Sequence, residues 1–84
     1  MLDEENRYFY YDGQKIKLTP IETELLEYLI DNKHALVPVR KLAQKFFGKA
    51  TPRNENCVTS NVCYLNFKLH GILKITMRSK KIRI

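Results

Sequence analysis

Eighty-four residues set the scale of one domain, close to the lower limit at which a chain buries a core unaided. Hydrophobic residues make up 44% of the chain and charged residues 29%, too apolar for disorder, and no apolar run approaches the roughly 20 residues of a membrane span. The net charge of +6 is unevenly spread: residues 1–31 hold three cations against eight acids, whereas residues 32–84 hold twelve cations against one acid. Such a split is expected of a domain that turns one face to a polyanion, with DNA ahead of a membrane surface.

Tyr8-Phe9-Tyr10-Tyr11 is aromatic and β-prone, and Asp12-Gly13 is a strong hairpin turn pair. Ile16 and Leu18 alternate with Lys15 and Lys17, which predicts the return strand of an N-terminal β-hairpin. Thr19-Pro20-Ile21-Glu22 reads as a helix start: the threonine oxygen caps, proline suits the first helical position and Glu22 completes a capping box. Ile21, Leu25 and Leu29, flanked by Leu26 and Ile30, form the apolar stripe of a helix that ends near Asn32.

Leu36-Val37 is a short extended piece, and Pro38 opens a second helix with Val39, Leu42, Ala43 and Phe46 inward and Gly48 at its end. Residues 49–55 are expected to be a polar connector carrying Lys49 and Arg53. A third helix is predicted from about Asn56 to Leu69, with Val58, Val62, Leu65 and Leu69 on one face and Gly71 just beyond. Ile72 to Met77 and Lys81 to Ile84 read as two strands around the turn Arg78-Ser79-Lys80.

The order of strand pair, three helices and strand pair predicts an α+β winged helix-turn-helix occupying residues 1–84 as one domain. Its wing is the C-terminal β-hairpin, and helix two, its connector and the wing carry most of the excess cations. On these residues the chain resembles the OmpR/PhoB-type DNA-binding domains. Leu18-Thr19-Pro20-Ile21-Glu22-Thr23-Glu24-Leu25-Leu26 is similar to that family's strand-to-helix signature. Leu42 with Phe47-Gly48 stands where the family has a leucine and then Trp-Gly, and Ile75-Thr76-Met77-Arg78 is similar to its wing motif Thr-Val-Arg-Gly. The resemblance covers about residues 8–84 and implies binding to duplex DNA.

The departures from the family bear on how that binding works. The recognition helix usually presents arginines or lysines, which read guanine through paired hydrogen bonds. Here the outward positions are Cys63, Tyr64, Asn66 and Phe67, with Lys68 the only cation in the predicted helix. The wing glycines are replaced by Ser79 and Lys81, the wing tyrosine by Ile82, and the hairpin has gathered Lys74, Arg78, Lys80, Lys81 and Arg83. We therefore expect the wing to dominate, with Arg78 in a narrow, A/T-rich minor groove. Thr76, Lys49, Arg53 and Lys68 join it as further contacts, and Asn61 and Tyr64 are the side chains suited to adenine and thymine. Cys63, Tyr64 and Phe67 form an exposed apolar patch expected to make a homodimer, at least on DNA.

No catalytic or metal site is expected, and no cofactor or small-molecule substrate. Cys57 and Cys63 are six apart and point about 240° away from each other, and Cys63 and His70 lie roughly 10 Å apart along the helix, beyond the reach of one zinc. Neither histidine has a partner placed to activate a cysteine, and the three glycines all fall at turns or helix ends. Two unpaired cysteines suit a reducing cytoplasm. No receiver domain fits within 84 residues, so the chain as given reads as a stand-alone accessory DNA-binder, with a resemblance to TcpK-type relaxosome proteins of conjugative plasmids. The competing expectations are the excised effector domain of a response regulator and a protein-interaction module on the same fold.

Overall fold

The computed structural model describes residues 2–84 and has the predicted α+β winged-helix order. Strands β1 (Leu2–Asp3), β2 (Tyr8–Tyr11) and β3 (Gln14–Lys17) form an antiparallel sheet. The β2–β3 turn is Asp12-Gly13, both with positive φ, the backbone hand that a two-residue hairpin needs to match strand twist. Strand β1 adds a third member to what the sequence presents as a hairpin, pairing Leu2 with Phe9 and Asp3 with Tyr8.

Helix α1 (Pro20–Asp31) begins at the full capping box: Glu22 N–H donates to the Thr19 hydroxyl, and Thr19 N–H donates to the Glu22 carboxylate. Leu25, Leu26 and Leu29 are buried on its inner face, but Ile21 is only half-buried and Ile30 is 40% exposed. The apolar stripe is therefore narrower than its residue types suggest. Strand β4 (Val37–Pro38) leads into α2 (Val39–Phe47), so Pro38 is the cap and not the first helical residue. Gly48 ends α2 with φ +80, a left-handed conformation that costs glycine nothing. Val39, Leu42 and Ala43 are buried as expected, whereas Phe46 only borders the core.

Helix α3 runs from Pro52 to Lys68, four residues earlier than its apolar periodicity indicates. Thr51 accepts a hydrogen bond from Asn54 N–H and Pro52 opens the helix, repeating the device at Thr19-Pro20. The connector between α2 and α3 thus shrinks to Gly48–Thr51, and Arg53 belongs to the first turn of α3. Val58, Val62, Leu65 and the cap residue Leu69 are buried against α1 and α2.

The C-terminal strands β5 (Thr76–Arg78) and β6 (Lys81–Arg83) are shorter than expected, with Ile72 and Leu73 in the turn and extended segment that follow α3. Strand β4 joins them, giving the order β4-β6-β5. Val37 and Ile82 pair on the inner face and complete the core with Ile75, Phe9 and Leu18.

Candidate nucleic-acid interface

The outer face of the C-terminal sheet follows from its register. Ile82 points inward, so Lys81 and Arg83 must point outward, and pairing sets Arg78 opposite Lys81 and Thr76 opposite Arg83. All four are exposed. Like charges directly across a sheet repel, so the Arg78–Lys81 pair costs the fold stability unless an anion lies over it.

The turn between them is the two-residue Ser79-Lys80, not the three-residue turn expected. Both residues have positive φ, +52 and +59, a conformation costly for side chains with a Cβ. The tip is pinned from behind: Val39 N–H, at the start of α2, donates to the Lys80 carbonyl at 2.9 Å. Lys80 in turn lines a small cleft with Asn56 and Thr59 of α3, so the wing tip and the N-terminal half of the recognition helix form one continuous surface.

Along α3, a step of about 100° per residue puts Arg53, Asn56, Ser60, Cys63 and Phe67 on the side opposite the buried face. All are exposed, Phe67 by 84%, and Tyr64 beside them is 62% exposed. Arg53 adds positive charge to a helix N-terminus that carries the partial positive charge of unpaired N–H groups, an arrangement that favours an anion on the Arg53 side, with Glu55 the one carboxylate in the same turn. Lys49 follows Gly48 in the same connector and is exposed; its carbonyl accepts from the Asn54 amide. Sequence reasoning passed over Asn56 and Arg40. Arg40 is exposed in the first turn of α2, next to the residue that holds the wing tip. The signal for Asn56 was the Thr51-Pro52 start, which extends α3 by a turn and makes Asn56 an interior residue of its outer face and not its first residue.

Three expected contacts, Lys68, Asn61 and Lys74, and the outward position Asn66 lie off the hairpin tip and the outer face of α3. Lys68 points inward: its Nζ donates to Glu22 Oε1 at 2.6 Å and to the Lys17 carbonyl at 3.2 Å. Asn66, read as outward, is half-buried and joins α3 to the segment before β5, its amide donating to the Ile75 carbonyl and its oxygen accepting from Ile75 N–H, each at 2.9 Å. Asn61 is half-buried on the flank of α3, and its amide donates to the Cys57 carbonyl. Lys74 is exposed but borders a cleft with Ile30, Leu2 and Ile84, away from the hairpin tip.

Residues 13–80 match the family described as "Transcriptional regulatory protein, C terminal", which takes in most of the chain, from β3 through the three helices to β5 and the hairpin turn. The chain belongs to this family. It is the OmpR/PhoB-type DNA-binding domain, so double-stranded DNA is the partner and transcription regulation the setting. The family is one of DNA-binding domains and not of enzymes. No curated protein matches the chain. Among the described residues no group of three His, Cys, Asp or Glu side chains is placed to hold a metal, and no helix is long and apolar enough to cross a membrane.

Proposed function

We propose that this domain binds duplex DNA sequence-specifically through a surface in which the C-terminal hairpin dominates and α3 plays the lesser part. The observation that carries this reading is the exposed Arg78–Lys81 pair at the hairpin tip, two cations whose mutual repulsion is relieved by a phosphate backbone or a narrow minor groove. Thr76, Arg83 and Lys80 extend that surface, and Lys49 and Arg53 supply phosphate contacts at the start of α3. A minor-groove arginine favours A/T-rich sites. Tyr64 reaches a thymine methyl or a phosphate as a secondary contact, and Asn61, on the flank of α3 with its amide donating to the Cys57 carbonyl, contributes less to an adenine edge. Lys68 and Lys74 contribute less than their charge suggests, the first because Glu22 holds it and the second because it lies off the hairpin tip.

The patch of Cys63, Tyr64 and Phe67, on the C-terminal half of the same helix face, is the proposed homodimer contact, doubling the DNA-binding surface as paired half-sites require. Sedimentation of the wild type and of Phe67→Glu, with and without duplex, reads this directly; a wild type that stays monomeric on DNA removes the dimer.

The decisive comparison is gel shift with two double variants. Arg78→Glu with Lys81→Glu is expected to abolish binding, while Asn61→Ala with Tyr64→Ala weakens it. If the second pair costs more than the first, the hairpin does not dominate. Sequences selected from random duplexes then separate promoter control from an accessory role at a plasmid origin of transfer.

A further inference from the structure

A second surface of this molecule shares no residue with the hairpin tip or the outer face of α3. The N-terminal sheet, the end of α1 and the segment before β5 enclose an open cleft of about 550 Å³. Its apolar lining comes from Leu2, Phe9, Ile30, Ile72, Leu73 and Ile84. Glu4, Glu27 and Asp31 border it, and Glu27 and Asp31 also border a neighbouring cleft of about 320 Å³ that contains Tyr28 and Phe46. The α1 residues Glu24, Glu27 and Asp31 therefore form an acidic ridge about 10 Å long with apolar surface on both flanks.

Three observations bear on what this surface takes. Among the described residues none of Glu4, Glu24, Glu27 and Asp31 has an ion-pair partner, although the chain has an excess of cations. Partial desolvation, the charges of Glu4 and Asp31, a hydrogen bond with Glu4 and the charge of Glu24 push Glu27 above its ordinary value, so carboxylates crowd this point of the ridge, while Lys33, His34, Lys45 and Lys74 also line the two clefts. The two clefts share Glu27 and Asp31, so apolar linings lie on either side of one acidic edge.

We infer that this face docks a cationic, apolar segment of a partner protein, its apolar side chains in the cleft beside Ile30 and Leu73 and its lysines or arginines against Glu27 and Asp31. The charge is complementary and the apolar lining supplies area, the combination by which amphipathic segments are held in grooves. Because DNA contacts lie elsewhere on the molecule, duplex and partner bind together.

A short amphipathic leucine–lysine peptide is the probe, titrated by NMR into the free protein and into the protein on a mixed-sequence duplex at low salt. The expected result is saturable shifts at Ile30, Leu73 and Ile84 in both states, weakened about tenfold by Glu27→Lys with Asp31→Lys. Those variants leave duplex binding in place, which keeps this outcome distinct from a failure of the DNA reading. Equal binding of a leucine–glutamate peptide overturns the inference, as does equal binding of oligolysine, which lacks the apolar half. Shifts confined to α3 or the hairpin also overturn it. Shifts in the cleft that grow with protein concentration alone assign the surface to a second copy of this chain and overturn it too.

Discussion

Lys68 near the end of α3 sets its ammonium 2.6 Å from the buried carboxylate of Glu22 in the first turn of α1. The same carboxylate oxygen closes the capping box with Thr19 N–H, and the same ammonium reaches the Lys17 carbonyl. This contact ties the end of α3 to the start of α1, beside the apolar packing of Val58, Val62, Leu65 and Leu69. Removing the cation leaves a buried carboxylate short of a partner, and Lys68→Ala is expected to cost about 1–3 kcal/mol in urea unfolding. Its effect on DNA binding should leave the salt dependence unchanged, whereas Arg78→Ala should lower the slope of log affinity against log salt by about one. A slope that falls equally in both variants would return Lys68 to the DNA contacts.

The reciprocal bonds between Asn66 and Ile75 hold the start of the wing to α3. Asn66→Leu leaves the Ile75 N–H and carbonyl unpaired in a half-buried site, with an expected loss of about 1–3 kcal/mol. Hydrogen exchange of Ile75 should accelerate before that of the α1 amides.

At the hairpin tip, stability and affinity move in opposite directions. Arg78→Glu replaces a repulsive cross-strand pair by an attractive one and should stabilise the fold by about 0.2–1 kcal/mol. The same change should abolish gel-shift binding. Thermal melts and gel shifts on the one variant test both halves.

Lys80 holds φ +59 at the turn, which glycine adopts without strain. Lys80→Gly is expected to raise stability by about 1 kcal/mol, a rise in Tm of about 4–8 °C for a domain of this size. Duplex affinity should fall, because the cation next to Asn56 is gone.

Burial and its carboxylate neighbours raise Glu27 above its ordinary value, so the folded state binds this proton more tightly than the unfolded chain. The sign is unfavourable at neutral pH: stability at this site falls as pH rises through the unfolded and then the folded value, and returns on acidification. Glu27→Gln should therefore raise Tm at neutral pH, with the gain vanishing below the carboxylate range. A gain that persists at low pH would point to packing and not charge.

Much of the fold is legible in short-range chemistry. The Thr19–Glu22 capping box, the Asp12-Gly13 turn and the Gly48 stop are each decided within four residues, and each forms where the sequence indicates. Thr51-Pro52 uses the same chemistry but lacks a glutamate three residues past the cap, and its first turn is polar, so apolar spacing places the start of α3 too late. Strands β1 and β4 have two residues each and carry no period at all; only their partners Tyr8–Phe9 and Lys81–Ile82 make them strands. The segment Ile72 to Ile75 has strand-forming residues, yet Asn66 captures Ile75, and the N–H groups of Ile72 and Leu73 turn back to the Leu69 carbonyl.

The candidate site divides the same way. By itself the sequence determined the family, the cationic hairpin and the core positions, because charge, helical spacing and caps act locally and survive any arrangement of the elements. Only the tertiary structure decided which cations are free. Lys68 and Arg53 are both charged residues of α3, but a carboxylate 46 positions away claims the first, whereas among the described residues no ion pair claims the second. A long-range partner leaves no periodic trace in the chain, since its energy exists only once the core has brought the two helices together.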